Sequence, residues 1–95
     1  MSRRDEYVEE LKAQIDEWNA EIDVLEAKAR QSSAEVRNEY LEEVDDLREK
    51  RDEVEGHLRE IQQAGEGVWQ DLKLGADQAW NAMRHAFKRA KSRFD

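Results

Sequence analysis

The stretch QSSAEVRNEY, residues 31–40, decides whether this chain begins with one long helix or with two shorter ones. Ser32 followed three residues later by Glu35 matches a capping box, which would begin a second helix. Yet the stretch contains neither glycine nor proline, and the apolar periodicity before it continues through it in register. The sequence therefore favours an unbroken helix over residues 3–63, about 90 Å long. The alternative is a three-helix bundle with a turn near residues 31–34.

Apolar positions from Val8 to Val36 recur at steps of three and four, as in the a/d seam of a coiled coil. The stripe is narrow, so that one neighbouring helix suffices to cover it. Trp18 is too bulky for a tight parallel pair, which favours an antiparallel or higher-order arrangement. We therefore predict a homo-oligomer, with a dimer favoured. The predicted oligomer seam consists of Val8, Leu11, Ile15, Trp18, Ile22, Leu25 and Val36.

The segment QQAGEG, residues 62–67, predicts a turn at 64–67 because Gly65 and Gly67 disfavour helix. Residues 68–94 then form an amphipathic helix with a tryptophan- and phenylalanine-rich stripe. We expect it to fold back antiparallel on the long helix, as a helical hairpin in a single all-α, coiled-coil domain over 1–95. The predicted helix-docking face consists of Val44, Leu47, Val54, Leu58, Ile61, Trp69, Leu72, Trp80, Met83, Phe87 and Phe94.

Charge is unevenly distributed along the chain. Residues 1–67 hold 21 acidic and 10 basic side chains, whereas residues 68–95 hold three acidic and six basic ones. The cations of the last helix suit the acidic flanks of the long helix, but a basic helix with an aromatic face is also typical of membrane-surface binding. Nucleic acid is disfavoured, since the acidic two-thirds would repel phosphate. The predicted basic flank for a membrane or protein partner consists of Lys73, Arg84, Lys88 and Lys91.

Side chains for catalysis or metal binding are scarce. The chain has no cysteine, and its two histidines are His57 and His85. Glu53 and Glu60 flank His57 at helical spacing, which we interpret as a solvated ion pair, and His85 is predicted to be exposed. Phosphate-binding and nucleophile motifs do not occur, and the paired carboxylates fall on convex helix faces rather than in a cleft. We expect no enzyme activity, no cofactor and no metal site.

The leading functional hypothesis is therefore a non-enzymatic interaction or scaffold protein with a protein partner. The alternative is a peripheral membrane-surface binder that uses the amphipathic C-terminal helix. The first residues contain no hydrophobic signal region, and no apolar run approaches the length of a membrane span. A cytoplasmic protein is expected on this basis.

Three blocks of the sequence carry a resemblance to a known family. They are RDEYVEELKAQIDEWNAEIDVLEAKA at 4–29, EYLEEVDDLREKRDEVE at 39–55 and WQDLKLGADQAWNAMRHAFKRAKSRF at 69–94. Together they resemble a family of small bacterial coiled-coil proteins from proteobacteria and cyanobacteria, loosely associated with the stress response. The resemblance implies a mostly helical protein without an assigned enzyme activity. The family has no established catalytic or ligand residues, so none can be transferred to this chain.

Overall fold

The computed structural model describes residues 2–94, which form an all-α fold without strands in that range. Three helices run alternately up, down and up, and the bundle measures 51 × 19 × 18 Å. The start of α1 lies beside the end of α2, and both ends of α3 lie beside the corresponding ends of α1. The helices are α1 (Arg3–Gln31), α2 (Ala34–Gln63) and α3 (Trp69–Phe94).

The prediction of one helix over residues 3–63 is wrong, because Ser32 and Ser33 leave the helical conformation. Both are extended, with ψ angles of 162° and 155°. The Ser32 hydroxyl donates to the Lys28 carbonyl at 2.9 Å, and the Arg37 guanidinium donates to the Ser32 carbonyl at 3.1 Å. Ser33, not Ser32, is the N-cap residue of α2, and its side chain makes no capping hydrogen bond. The capping box on Ser32 is therefore not formed, although the chain turns at the place that the alternative named.

Burial explains why the chain turns here. Interrupting the helix here forgoes about four helical hydrogen bonds, each worth only about 0.5–1.5 kcal/mol net. Folding α1 back against α2 and α3 leaves Leu11 fully buried and Ile22 1% exposed. Each such aliphatic side chain contributes about 1.5–3 kcal/mol when it leaves water. The hydrophobic gain along α1 exceeds the loss at the turn several times over.

The second connection lies at the glycine-containing segment. Helix α2 ends at Gln63, Ala64 is extended, and α3 begins at Trp69. Gly65 and Gly67 both have negative φ and open space around them, so neither serves as a left-handed helix cap. The Arg4 guanidinium donates to the Ala64 carbonyl at 2.5 Å, which joins the start of α1 to this loop.

Aromatic side chains fill the space between α1 and α3. Trp18 meets Trp80 edge-on at 6.1 Å between ring centroids and stacks on Phe87 at 6.2 Å. Tyr7 lies 6.2 Å from both Trp69 and Trp80. The bulk of Trp18, which argued against a tight parallel dimer, is thus accommodated within one chain. At the opposite end of the bundle the rings of Tyr40 and Phe94 stack at 4.5 Å.

Candidate interaction surface on the third helix

The predicted oligomer seam lies inside the bundle. Its α1 members are all buried, and Val36 at the start of α2 is half-buried. Contacts within one chain therefore cover the stripe for which a second chain was expected. The dimer was predicted in order to cover an exposed apolar stripe, and that stripe is not exposed. The oligomeric state itself stays a prediction.

The residues of the predicted helix-docking face lie in the core of the bundle, where α3 packs against α1 and α2 of the same chain. Eight of its members are buried, and Leu72, Trp80 and Phe94 are partly buried against them. The Trp80 indole N–H is enclosed without a hydrogen-bond acceptor among residues 2–94. Because the aromatic side chains point inward, a membrane contact through this face would require α3 to leave the bundle.

The outward face of α3 has the opposite charge to the rest of the bundle. Helix α3 carries six basic and two acidic residues, whereas α1 carries five basic and nine acidic, and α2 five and eleven. Both carboxylates of α3, Asp71 and Asp77, precede residue 78, so its last 17 described residues contain only cationic charges. Four exposed residues of this half are here called the α3 basic surface: Arg84, His85, Lys88 and Arg89.

Ion pairs divide the α3 cations into two groups. Lys91 pairs with Glu21 of α1 at 3.3 Å, and Arg93 pairs with Glu43 of α2 at 2.8 Å. Lys73 pairs within its own helix, with Asp77. In contrast, the part of the chain that the structure describes holds no ion-pair partner for Arg84, Lys88 or Arg89, all three of which are exposed.

The predicted basic flank therefore needs revision. Lys73 and Lys91 form ion pairs within the bundle, whereas Arg84 and Lys88 are exposed and available for a partner. Arg89 was not part of the predicted flank, although it belongs to the surface. The signal that indicates it is the absence of any acidic residue between 78 and 94, since a cation on the outward side then has no carboxylate of its own helix to pair with.

A shallow depression of about 570 Å³ runs along this surface where α3 meets α2. No carboxylate lines it, although the chain has 24 acidic residues. Lys50 reaches it from α2, with its ammonium 2.7 Å from Asp46. The lining offers N–H and O–H donors, which suit an anionic group. The lining residues are Lys50, Ala82, His85, Lys88, Arg89 and Ser92.

His57 does not form the ion pair that was predicted with Glu53 and Glu60. It is half-buried and packs over α3, where a Cβ atom on Gly75 would lie 3.3 Å from the imidazole Cε1. His85 is exposed, as predicted. Within residues 2–94 no three histidine, aspartate or glutamate side chains are grouped to hold a metal ion.

A polar cluster closes the groove between α1 and α3. The Tyr7 hydroxyl donates to Asp77 Oδ1 at 2.7 Å, and the Lys73 ammonium lies 3.2 Å from Asp77 Oδ2 and 5.2 Å from the Tyr7 ring centroid. Burial, and next the bond to the Asp77 carboxylate, raise the pKa of the Tyr7 phenol well above its ordinary value. The cluster joins the first turns of α1 to α3.

A second ion-pair cluster joins α1 to α2 near the opposite end. Glu26 accepts hydrogen bonds from Arg48 of α2 and from Arg30 of its own helix. The hydrogen bond from Arg48 has the largest effect on the solvent-accessible Glu26 carboxyl and that from Arg30 the next, and both lower its pKa below the usual range. Each of the two clusters links α1 to another helix of the bundle.

Tyr7→Phe is expected to lower the free energy of unfolding by about 1–2 kcal/mol at pH 7, because it leaves the Asp77 carboxylate without its phenol donor. The folded-state pKa of Tyr7 is raised, so its stabilising contribution is complete below the ordinary tyrosine pKa of about 10 and is lost as the pH rises above that value. Urea unfolding at pH 7, 9 and 11 measures the difference.

Tyr40→Phe is the matched control, since the Tyr40 ring stacks on Phe94 and its hydroxyl has no hydrogen-bond partner in the described chain. This variant should unfold like the parent protein at pH 7. A Tyr7→Phe effect that is as large at pH 11 as at pH 7 would contradict the role of the phenol proton.

Comparison with protein-family models, curated proteins and solved structures gives no match. None of the helices in residues 2–94 combines the length and the apolar character that crossing a membrane requires.

Proposed function

We propose that this chain is a non-enzymatic interaction protein that binds an acidic surface of another protein through the α3 basic surface. The observation that carries the proposal is that three exposed cations without ion-pair partners in the described chain, Arg84, Lys88 and Arg89, lie together on a stretch of α3 that has no acidic residue. They lie on the one basic helix of a bundle whose other two helices are acidic.

The bundle dimensions separate the two charge types. Its width is 19 Å, whereas the Debye length at physiological ionic strength is about 8 Å. The outward carboxylates of α1 and α2 are therefore largely screened from a partner that lies on α3. The net charge of −8 repels acidic molecules at a distance, but a docked partner experiences mainly the cations beside it.

The expected binding free energies favour a protein partner over a membrane. Each cation near an anionic bilayer contributes about 1 kcal/mol, so three give about 3 kcal/mol, which is too little for stable membrane attachment. A folded partner adds apolar contacts to the ion pairs. Leu74, 66% exposed on the same outward side of α3, is available for them.

Poly-L-glutamate serves as the probe of an acidic protein surface. The triple variant Arg84→Gln, Lys88→Gln, Arg89→Gln is expected to bind it about tenfold more weakly than the parent protein at 100 mM salt, since each exposed pair contributes about 0.5 kcal/mol. Isothermal calorimetry gives the affinity, and circular dichroism checks that the variant keeps its helices.

The matched control is Lys12→Gln, Lys28→Gln, Arg59→Gln, which makes the same charge change at exposed residues of α1 and α2. These three cations also have no ion pair among the described residues. The control should lose less than about threefold in affinity, in line with its distance from the docked probe. Equal losses in the two variants would show that only net charge matters and would refute the proposed surface.

The membrane-surface alternative predicts a different result. Vesicles of phosphatidylserine and phosphatidylcholine should then bind the protein, and brominated lipid in them should quench its tryptophan emission, because the Trp69 and Trp80 face would have to leave the core and enter the interface. Vesicle binding that Trp80→Glu abolishes would favour this alternative over a protein partner.

A role in the stress response and a cytoplasmic location remain predictions of the sequence. The first is tested by the abundance of the protein in its host cell with and without heat or osmotic stress. Fractionation of the same cells tests the second.

A further inference from the structure

The loop between α1 and α2 differs from a continuous helix in only two backbone torsion angles. The φ angles of Ser32 and Ser33, −74° and −61°, already have helical values. Only the ψ angles differ, at 162° and 155° against about −42° in a helix. Rotation about these two ψ angles joins α1 and α2 into one helix.

The sequence around the loop allows the joined helix to form. Ala29, Ser32 and Val36 continue the apolar spacing of α1 into α2, and residues 29–40 contain neither glycine nor proline. Few local bonds hold the loop in its turned form. The Ser33 side chain does not cap α2. Ser32 donates from its N–H to the Ala29 carbonyl and from its hydroxyl to the Lys28 carbonyl, and its own carbonyl accepts from Arg37. The turned form is therefore stabilised mainly by the packing of α1 against the rest of the bundle.

We propose that two copies of this chain exchange α1 to form a dimer in which residues 3–63 of each copy are one continuous helix. In this dimer α1 of each copy occupies the place of α1 in the bundle of the other. Trp18 then packs on Trp80 and Phe87 of the second copy, and Asn19 accepts from Arg51 of the second copy, as both do within one chain in the closed bundle.

Exchange requires no new apolar surface, because every buried contact of α1 outside the loop is made again between copies and the contacts between α2 and α3 stay within each copy. The α3 basic surface stays outward in both forms, so this inference does not depend on the proposed function. The association costs translational and rotational entropy, and the two serines that become helical in each copy offset part of it. The dimer is consequently favoured by high concentration during folding.

Shape distinguishes this dimer from two closed bundles side by side. The continuous helix is about 90 Å long, whereas the closed bundle measures 51 Å along its longest axis. A pair of closed bundles associated along their sides keeps that length and doubles the width. Small-angle X-ray scattering with light-scattering mass on chromatographically separated species reports both quantities.

The test refolds the full chain from denaturant at about 10 μM and at about 1 mM, and measures the dimer fraction. Ser33→Pro blocks the joined helix, since proline inside a helix is strongly unfavourable. It fits the closed form: φ at Ser33 is −61°, the preceding residue is extended, and the Ser33 N–H has no hydrogen-bond acceptor in residues 2–94. Ser32→Ala with Ser33→Ala favours the joined helix instead.

The expected result is an elongated dimer that forms at the higher concentration, with a length near twice that of the monomer. Ser33→Pro should lower its association constant at least about a hundredfold, and the double alanine variant should raise it about tenfold. The proposal is overturned if the double alanine variant stays monomeric at 1 mM. It is also overturned if Ser33→Pro dimerises like the parent protein, or if the dimer has the length of a closed bundle.

Discussion

Replacing Trp18 by alanine is expected to lower the free energy of unfolding by about 3–5 kcal/mol, the range for removing a buried tryptophan or phenylalanine from a core. The indole is 3% exposed and contacts Trp80 and Phe87 of α3. Its loss leaves a cavity between α1 and α3, where aromatic side chains supply most of the contact. Small domains have total stabilities of about 5–15 kcal/mol, so this single change brings the bundle close to unfolding.

Urea denaturation followed by circular dichroism measures the effect. Val24→Ala is the control on the same helix, because Val24 is 55% exposed and should cost less than about 0.5 kcal/mol. If Trp18→Ala unfolds at the urea concentration of the control, α1 does not pack on α3 as described.

Ending the chain after Gln63 is expected to abolish cooperative thermal unfolding and to lower helicity per residue. The α1–α2 hairpin that remains would expose the Trp18 side of the core together with Leu47 and Ile61, which are 1% and 0% exposed in the intact bundle. Two helices without a third element bury too little apolar area to offset the conformational entropy of the chain.

Circular dichroism melting and sedimentation velocity on the truncated chain test this expectation together, so that rescue by self-association is seen as a change in mass. A truncation after Ala90 is the control, since it removes only the terminal Tyr40–Phe94 stack and the ion pairs of Lys91 and Arg93. A chain ending at Gln63 that remains monomeric, helical and as heat-resistant as the control would show that α3 is not part of the core. The aromatic face would then be free for a membrane or another partner.

The apolar pattern predicted which side chains are buried but not what covers them. Every α1 residue of the predicted oligomer seam is buried, and so are the α2 residues of the docking face. An a/d stripe specifies one side of a helix, and that side is satisfied equally by a second chain or by another helix of the same chain. The assignment of the α1 seam to a dimer was therefore an inference about the covering partner, which periodicity does not contain.

The same ambiguity applies to the site. Sequence placed Arg84 and Lys88 on the basic side of α3, but it included Lys73 and Lys91, which the structure pairs with Asp77 and Glu21. An ion pair between helices depends on which flanks face each other, and that is decided only when the bundle closes. Arg89 was missed because the prediction followed one flank of α3, although the lack of acidic residues between 78 and 94 applies to Arg89 as well.

By itself the sequence determined that this protein is helical and that residues 64–67 interrupt the helical structure. It also determined that the last helix has one apolar side, which bears the tryptophans. These properties follow from periodicity, glycine and composition, which act over a few residues. Only the tertiary structure decided that the chain turns at Ser32 and Ser33, since their local preferences and the register of the seam permit either conformation. The balance is set by the burial of α1 against helices that are distant in sequence, and that energy exists only in the assembled bundle.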